Sequence, residues 1–355
     1  MSPKHRDALR FLWWKNGEIG GEIEVYRMCV HLFGGVCSPS CASFALRRVV
    51  HDQRMNFPEE TLQTVLKNFY ADDCLKSVGT IEEAISIVHS LCKLLALVGF
   101  SLTKWISNDR RVLEAIPVEE RAKGVKNLDL DRSFLPVERA LGIHWNTDTD
   151  HFGIQIKSKQ KEFTRRGLLS IVSSVYDPLG LVCPFVVRAK MIFQDECKSG
   201  KEWDDPLSPE NQLRWSKWLE ELPLLKQFEV ERCLMSAGFG KPVKCELRHF
   251  CDASMSAHGS VSYLRTVNAE GKVHCSLLLG KSRLATIVLQ YIYSCSKRFQ
   301  TFVTNRLSVI HDGSKPRRRR KVGTKENPAD DVSRGLNGCD MNSSDRWKRG
   351  LELLW

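Results

Sequence analysis

A short apolar segment that ends in two adjacent carboxylates constrains this chain more than any other feature. Residues Val65 to Phe69 are mostly apolar and run directly into Tyr70-Ala71-Asp72-Asp73. We interpret the apolar segment as a strand, because a strand that ends in a tight turn delivers both carboxylates to one edge of a sheet. The sequence therefore predicts a sheet edge that carries Asp72 and Asp73.

Paired carboxylates of this kind are candidate ligands for divalent cations. Mg²⁺ prefers oxygen ligands and keeps several waters, and phosphoryl transfer between nucleotides uses two such ions bridged by carboxylates. Asp72 and Asp73 are therefore candidate Mg²⁺ ligands of a polymerase palm. The alternative is structural, because Asp pairs at turns and helix caps often only accept hydrogen bonds from backbone N–H groups.

The composition is typical of a globular intracellular protein. The chain has 355 residues, of which 42% are hydrophobic, and this is enough for two or three domains with their own cores. No run of about eighteen apolar residues occurs, and Met1 is followed by Ser-Pro-Lys-His-Arg instead of an apolar signal segment. We expect a cytoplasmic or nuclear protein that is neither secreted nor bound to a membrane.

The charge balance favours contact with a polyanion. The chain carries 53 Lys and Arg against 42 Asp and Glu, which gives a formal net charge of +11. Basic side chains that neutralise phosphates release condensed counterions, so nucleic acid is the expected partner. The alternative is that a modest positive charge only keeps the protein soluble.

The cysteines predict free thiols. Thirteen occur, an odd number, without the spacing of a small disulfide-rich domain, and we expect most of them to be reduced and buried. Cys37 and Cys41 with nearby His31 suggest a zinc site, but no second Cys/His pair at finger spacing follows.

The first 53 residues predict a hairpin and then a helix. Residues 7 to 14 predict a strand, Lys15-Asn16-Gly17 a turn and Ile23 to Met28 the return strand. Ser38-Pro39 has the residue types of a helix N-cap and first helical position, which predicts a helix from Pro39 to about Gln53.

A capping box starts the next helix. Thr80 is followed three residues later by Glu83, and Gly99 ends the pattern. The residues between them predict a helix with one apolar face packed against a sheet, formed by Ile81, Ala84, Ile85, Val88, Cys92, Leu95 and Val98. Phe100 to Ile106 then predicts a strand that carries Lys104.

The middle of the chain predicts a strand pair and then helices. Leu141 to Trp145 and the alternating positions around Phe152 predict the strands. A helix is predicted to start at Thr164, and a turn is predicted at Tyr176-Asp177-Pro178-Leu179-Gly180. An amphipathic helix is predicted after Pro209, with Trp215 and Trp218 on it and Trp203 before it. We expect these tryptophans to pack in a core instead of stacking on bases.

Three further strands are predicted near the end of the chain. The first starts at Glu246 and is followed by Phe250-Cys251-Asp252-Ala253-Ser254, and the others are Gly259 to Arg265 and Val273 to Leu279. A turn at residues 267–271 joins the last two, which predicts an antiparallel meander.

Taken in order, these segments resemble the polyprotein of BEL/Pao-type long-terminal-repeat retrotransposons over almost the whole chain. The matching motifs are Arg6 to Trp14, Phe33-Gly34-Gly35-Val36-Cys37-Ser38-Pro39, Asn68 to Ser77, Gly99 to Trp105, Leu141-Gly142-Ile143-His144-Trp145, Leu168 to Leu181, Pro184-Phe185 and Asn327 to Gly335.

The resemblance implies an α+β architecture in four parts. Residues 1–158 would be a partial reverse-transcriptase palm, an antiparallel sheet with helices that lacks the fingers and the first catalytic Asp. Residues 159–240 would be a helical thumb or connection, a segment described in the family as a Pao-type peptidase. Residues 241–340 would be an incomplete ribonuclease H-like α/β domain, and 341–355 a C-terminal tail.

The resemblance also implies roles for individual residues. Asp72 and Asp73 would hold Mg²⁺ for the polymerase, and Asp252 and Asp330 would hold it for the nuclease. Lys104 would assist the nucleotide phosphates, although an ordinary solvated edge lysine is an equal alternative. The template-primer would contact Ser38, Pro39, Trp145 and a basic block with Arg317, Arg318, Arg319 and Arg320. The basic block is also typical of a nuclear-targeting signal or a solvated loop.

Several parts expected of the family have no counterpart. The first palm Asp would lie upstream of the segment matched by Arg6 to Trp14. Two middle nuclease carboxylates are absent where Lys281 to Ala285 runs into Thr286 to Tyr291, and we expect a poorly closed or remodelled domain there. No Asp-Thr/Ser-Gly triplet occurs, which argues against an aspartic protease.

Two functions follow from this pattern. The first is a remnant of an RNA-directed DNA polymerase with ribonuclease H, inactive in this chain because too few carboxylates remain for two Mg²⁺ ions. The alternative is a non-catalytic, basic nucleic-acid-binding protein retained from a retroelement. The oligomeric state is not determined by the sequence.

Overall fold

The computed structural model describes residues 7–28, 34–126, 128, 130, 134–140, 143–156, 161–235, 238–284 and 322–354. Contacts divide the chain into two units, Met1–Leu130 and Asp131–Trp355. Helices and antiparallel sheets occur in the described ranges, so the α+β class is confirmed. In this part of the chain, no helix is long and apolar enough to cross a bilayer.

The first unit begins with the predicted hairpin. Strand β1, Arg10–Trp14, pairs antiparallel with β2, Ile23–Arg27. Leu12 is 66% exposed and its cross-strand partner Val25 is 65% exposed. The hairpin therefore presents apolar side chains to solvent.

Three helices form the core of the first unit. They are α1, Ser38–Asp52; α2, Glu59–Asn68; and α3, Ile81–Ala96. The predicted capping box is present, because Thr80 Oγ1 accepts from the Glu83 backbone N–H at 3.2 Å and Glu83 accepts from the Thr80 N–H at 3.2 Å. The prediction that α3 packs against a sheet is wrong, since its buried residues cluster with residues of α1 and α2, including Leu46, Val49, Leu62 and Val65.

The apolar segment before the Asp pair is not a strand. Val65 lies in α2, and only Phe69–Tyr70 forms strand β3, which pairs with β4, Asp73–Cys74. The segment continues a helical pattern that begins upstream, with Leu62 and Val65 buried three residues apart. A short apolar run is ambiguous between strand and buried helix, and here the helix is the observed structure.

The predicted strand Phe100 to Ile106 is also absent. Only Trp105 makes a bridge in this segment, a parallel one with Arg121. Two short helices follow, α4, Arg110–Glu114, and α5, Lys123–Lys126. Trp105 instead packs as a partly buried side chain beside α3.

The second unit contains a four-stranded antiparallel sheet in the order β5-β6-β7-β8. Its strands are Val137–Ala140, Ile143–Asn146, His151–Gly153 and Glu229–Glu231. The pairing of Trp145 with Phe152 confirms the strand pair predicted around these two residues.

Three helices lead into the core of this unit: α6, Arg165–Ser174; α7, Cys183–Lys198; and α8, Pro209–Glu221. Thr164 caps α6 as predicted, accepting from the Gly167 N–H at 3.1 Å. Trp215 and Trp218 are fully buried with ring centroids 4.8 Å apart, which confirms that they serve packing. Trp203 is half exposed beside Arg165, whose guanidinium lies 5.2 Å from the ring centroid.

The predicted meander is confirmed. Strands β9, Pro242–Ala253, β10, Ala257–Asn268, and β11, Val273–Leu284, form an antiparallel sheet in the order β11-β10-β9. Three short helices follow: α9, Ala329–Arg334; α10, Gly338–Ser343; and α11, Asp345–Arg349.

One core joins these helices and this sheet. It contains residues of α6, α7, α8, β10, β11 and the last three helices, among them Phe185, Trp218, Tyr263, Val332 and Trp347. The ranges 159–240 and 241–340, predicted as separate domains, therefore share a core. The segment 341–355, predicted as a tail, contributes the fully buried Met341 and Trp347 to it.

The described cysteines are free thiols, as predicted. The expectation that most are buried is wrong, because only Cys183 and Cys275 among the described ones are buried. The exposed set is Cys37, Cys41, Cys197, Cys233, Cys245, Cys251 and Cys339.

Candidate functional site

The candidate site lies where β9 ends against α9. Asp252 is the penultimate residue of β9 and pairs in register with Gly259 of β10. A side chain at Gly259 would overlap Val332 of α9, so the missing Cβ lets this helix lie directly on the sheet. The sheet and the helix thus bring Asp252 to the same place as the motif that contains Asp330.

A serine hydroxyl connects the Asp252 carboxylate to the backbone of the helix that carries Asp330. Ser333 Oγ donates to the carboxylate of Asp252, and the same oxygen lies 3.2 Å from the backbone carbonyl of Asp330. Ser333 is fully buried, so the hydrogen bond to a carboxylate is shielded from water. Ser254 Oγ donates to the Ser333 carbonyl at 2.9 Å and holds the loop after β9 against the helix.

Asp330 is paired with a cation on its own helix. Arg334 Nε lies 2.6 Å from Asp330 Oδ1, four residues away, and the contact is an ion pair without the alignment of a hydrogen bond. Asp330 Oδ1 is buried and makes no hydrogen bond. The Asp330 side chain is 16% exposed and that of Arg334 is 64% exposed. The carboxylate is therefore mostly buried, whereas most of the Arg334 side chain is exposed.

The neighbouring acid, Asp331, has a structural role. It is 4% exposed and accepts hydrogen bonds from Arg346 of α11, one of them from Nε at 3.2 Å. Burial raises the pKa of the Asp331 carboxyl, and the Arg346 charge opposes that rise. Asp331 therefore joins α9 to α11, and its carboxylate is already ion-paired with Arg346.

Asp252 and Asp330 carry carboxylate oxygens, which are the donors that Mg²⁺ takes. In the structure, the Asp252 carboxylate accepts from Ser333 and the Asp330 carboxylate is ion-paired with Arg334. Among the described residues, no group of three His, Cys, Asp or Glu side chains is arranged to hold a metal. Mg²⁺ binding by Asp252 and Asp330 stays a prediction.

Asp72 lies in the tight turn between β3 and β4, and Asp73 is the first residue of β4. Both are exposed, and Ala71 before them has a φ of 52°. Asp73 pairs with Tyr70 in the two-residue hairpin. The metal site and the structural alternative both stay predictions for this pair. In the described part of the first unit, no third His, Cys, Asp or Glu side chain is arranged with them to hold a metal.

The other predicted residues of the first unit lie in an irregular segment and at a helix start. Lys104 is exposed with a φ of 61°, in the segment that forms no strand. Ser38 and Pro39 begin α1, with Cys37 at the N-cap position, one residue before the predicted cap. The helix start is confirmed within one residue.

Trp145 has protein partners. Its Nε1 donates to Asp150 Oδ1 at 2.9 Å, and the Arg232 guanidinium lies 5.5 Å from its ring centroid. Arg232 also forms a two-point pair with Asp150, at 2.6 and 2.9 Å. This cluster joins β6, β7 and the residue after β8. Trp145 therefore stabilises the four-stranded sheet, and its role in nucleic-acid contact stays a prediction.

The predicted basic residues Arg317, Arg318, Arg319 and Arg320 lie outside the described residues. The segment from Ala285 to Tyr291, where the two middle carboxylates were expected, also lies outside them.

A cavity of about 400 Å³ lies elsewhere in the second unit. Residues of β7, β8, β11 and α11 line it, including Glu229, Glu231, Lys272, His274 and Lys348. Its charges are mixed, and none of the predicted site residues lines it.

The sequence analysis assigned no role to Ser333 and Arg334, although both lie in the motif that contains Asp330. Their signal was present, because residues three and four positions after an aspartate lie on its face of a helix. The turn residue Asp177 was also missed. Its two carboxylate oxygens accept the N–H groups of Leu181 at 2.7 Å and Val182 at 2.9 Å, just before α7. Burial raises the pKa of Asp177, and these hydrogen bonds oppose the rise.

Comparison with protein families finds a match within the second unit. Residues 164–292 match the family model of the Pao retrotransposon-like RNaseH-like domain. This segment includes Asp252 and runs across the range predicted as a separate connection. The match supports an origin in a Pao-type retrotransposon polyprotein. Searches of curated proteins and of solved structures found no match.

Proposed function

We propose that the second unit is a ribonuclease H-like, nucleic-acid-binding unit of a BEL/Pao-type retrotransposon polyprotein. The observation that carries this proposal is the contact of Ser333 with Asp252, which joins the end of β9 to the helix of Asp330. Strand β9, which carries Asp252, and helix α9, which carries Asp330, come from distant parts of the chain, and α9 packs on a core that the matched segment helps to form. The ancestral activities are RNA-directed DNA polymerase and ribonuclease H.

Asp252 and Asp330 would hold Mg²⁺ in the nuclease. When bound, Mg²⁺ lowers the pKa of an attacking water and polarises a phosphodiester. The chain's own contribution is to hold Asp252 through Ser333 and to keep Asp330 half-buried. In the first unit, Asp72 and Asp73 would hold Mg²⁺ and Lys104 would contact nucleotide phosphates.

We further propose that this chain is catalytically inactive by itself. Cleavage and polymerisation by the two-ion mechanism need carboxylates that bridge both ions, and among the described residues each of the two sites has only two candidates. The missing donors reduce transition-state stabilisation more than nucleic-acid binding, because binding depends chiefly on basic residues and phosphates.

The second candidate is a basic nucleic-acid-binding protein without an ancestral reaction. The formal charge of +11 favours it.

In either case, we propose an intracellular location, in the cytoplasm or the nucleus.

The test uses the full chain with a labelled primer-template and a labelled RNA–DNA hybrid. We expect binding that weakens steeply between about 50 and 200 mM salt, with no nucleotide incorporation and no RNA cleavage in Mg²⁺. Asp72→Asn should leave binding unchanged or slightly stronger, because it removes a negative charge.

Two outcomes contradict the proposal in different ways. Mg²⁺-dependent extension that Asp72→Asn abolishes, or RNA cleavage that Asp252→Asn abolishes, shows an active enzyme. Absence of binding to both nucleic acids at 50 mM salt shows that neither candidate function is retained.

A further inference from the structure

The sheet of β9, β10 and β11 has one packed face and one open face. Val261 and Tyr263 of β10 are fully buried in the core of the second unit. Side chains alternate along a strand, so the residues between these positions point away from that core. Antiparallel sheets often leave one face to solvent. The centre of the open face is formed by His249, Cys251, Ser260, Leu279, Lys281 and Arg283.

The strand register places side chains of all three strands beside one another on this face. Ser260 of β10 lies opposite both Cys251 of β9 and Lys281 of β11. One step along the same face, His258 lies opposite Arg283. Residues directly opposite each other have Cβ atoms about 5 Å apart. The hydroxyl of Ser260 therefore lies in one group with the two basic side chains.

The open face carries positive charge and no acidic side chain in the described strands. Lys281 and Arg283 are both exposed. The acidic residues of the three strands are Glu246 and Asp252, and both lie on the packed face, where their partners belong to the second unit. Burial and the Arg283 charge lower the pKa of His258, so this histidine is neutral at neutral pH. The charge of the face thus comes from lysine and arginine.

We propose that the open face of this sheet binds the phosphate backbone of a nucleic acid. Lys281 and Arg283 neutralise phosphates, and the Ser260 hydroxyl donates to a phosphate oxygen. The two basic residues are two positions apart on one strand, about 7 Å, so they contact different parts of the backbone. The inference rests on the proposed nucleic-acid-binding function and adds a surface on the other side of the sheet from the candidate site.

The composition of the face predicts binding without sequence preference. Base stacking needs Phe, Tyr, Trp or a similar ring, and none of the first three points outward from the described residues of these strands. Contacts to phosphate carry no sequence information and depend strongly on salt.

The first measurement is the affinity of the full chain for a labelled RNA–DNA hybrid as a function of salt. The double variant Lys281→Gln, Arg283→Gln should bind about 10-fold or more weakly at about 100 mM salt. The slope of log K against log salt should become shallower by about 2, one for each lost phosphate contact.

The matched control removes the same charge from the other face of the sheet. Lys244 and Arg248 lie on β9, with side chains 60% and 46% exposed, and both pair with Glu246. The double variant Lys244→Gln, Arg248→Gln changes the net charge equally. It should leave the salt slope as it is in the natural chain.

A second pair of variants tests the centre of the face. Ser260→Asp places a negative charge beside Lys281 and should weaken hybrid binding by about 10-fold, because it repels phosphate. Ser260→Asn has nearly the same size without the charge and should stay within about 3-fold of the natural chain. Thermal unfolding of both variants separates binding from loss of folded protein.

A third measurement needs no substitution. Cys251 is an exposed thiol opposite Ser260, and Cys339 of α10 is an exposed thiol elsewhere in the second unit. Maleimide labelling followed by mass spectrometry gives the reactivity of each thiol. A saturating hybrid should slow labelling of Cys251 several-fold and leave Cys339 unchanged.

The outcomes separate the surface from the function. Hybrid binding with the natural salt slope in the Lys281/Arg283 variant, or with Cys251 labelled as fast as in the free chain, overturns this inference and leaves the proposed function in place. Absence of hybrid binding by the natural chain at about 50 mM salt overturns both. Polyglutamate that binds as tightly as the hybrid, and loses affinity in the same variant, would show an acidic protein as the partner and also overturns the inference.

Discussion

The backbone of Gly180 lies directly against the backbone of Gly280. A Cβ on Gly180 would overlap the carbonyl group of Gly280, and a Cβ on Gly280 would come within 2.5 Å of the Gly180 carbonyl oxygen. The Gly280 N–H donates to the carbonyl of Leu179 at 2.9 Å. The turn before α7 is therefore fixed to the middle of β11 through two glycines, 100 residues apart in the chain.

Gly280→Ala should lower the free energy of unfolding of the second unit by about 3 kcal/mol. The added methyl would meet the Gly180 carbonyl and also come within 3.0 Å of the Trp347 ring, and overpacking of this kind is costly. Gly153→Ala is the control, because its Cβ would make only an ordinary contact with the Phe228 carbonyl at 3.7 Å. Chemical denaturation measures both. A similar small effect for the two variants would contradict the close approach.

Arg346→Met should destabilise the second unit by about 3 kcal/mol at neutral pH. The substitution leaves the buried Asp331 carboxylate without its cation. Adding Asp331→Asn removes that charge, so the double variant should be more stable than Arg346→Met alone. Denaturation of the two single variants and the double variant gives the coupling free energy. Strictly additive effects would show that the pair does not interact.

Trp347→Ala should cost about 3–5 kcal/mol, since the side chain is fully buried and its Nε1 donates to the Leu181 carbonyl at 2.7 Å. Trp13→Ala, at a side chain 48% exposed, should change stability by less than about 1 kcal/mol.

Deletion of residues 338–355 should leave the second unit open to proteases. A protease-resistant core of 164–284 in the shortened chain would show that the last two helices are dispensable.

Glu246 should make stability depend on pH in the acid range. Hydrogen bonds from Lys244 and then Arg248 lower the pKa of the Glu246 carboxyl from 4.5 to about 2. A lowered carboxyl pKa stabilises the folded state above the unfolded pKa of 4.5, and this contribution is lost as the pH falls from 4.5 to about 2.

The check is acid denaturation of the natural chain and Glu246→Gln. The natural chain should be the more stable of the two above pH 4.5, and the difference should disappear near pH 2. Arg265 also lies 3.0 Å from Glu246, so added salt should reduce the difference only in part. A difference that is constant from pH 6 to pH 2 would contradict the lowered pKa.

The elements that were predicted well depend on local signals. The start of α3 was predictable because Thr80 and Glu83 satisfy each other's backbone N–H groups within one turn. The meander of β9, β10 and β11 was predictable because alternation and turn residues lie within each hairpin. Helix α8 was predictable because its tryptophans recur at helical spacing.

The errors occurred in short apolar runs. Val65 to Phe69 and Phe100 to Ile106 are each too short for periodicity to separate a strand from a helix or an irregular segment. Their structure depends on neighbours, since α2 packs on α1 and α3, and Trp105 packs beside α3.

The residue types of the candidate site, and the pairing of Asp330 with Arg334 one helical turn away, follow from the sequence alone. Only the tertiary structure brings Asp252 to Ser333, 81 residues later, and gives the last two helices a place in the core. The physical reason is range: helix periodicity and strand alternation act over a few residues, whereas a buried hydrogen bond between distant segments forms only when a whole core places them together.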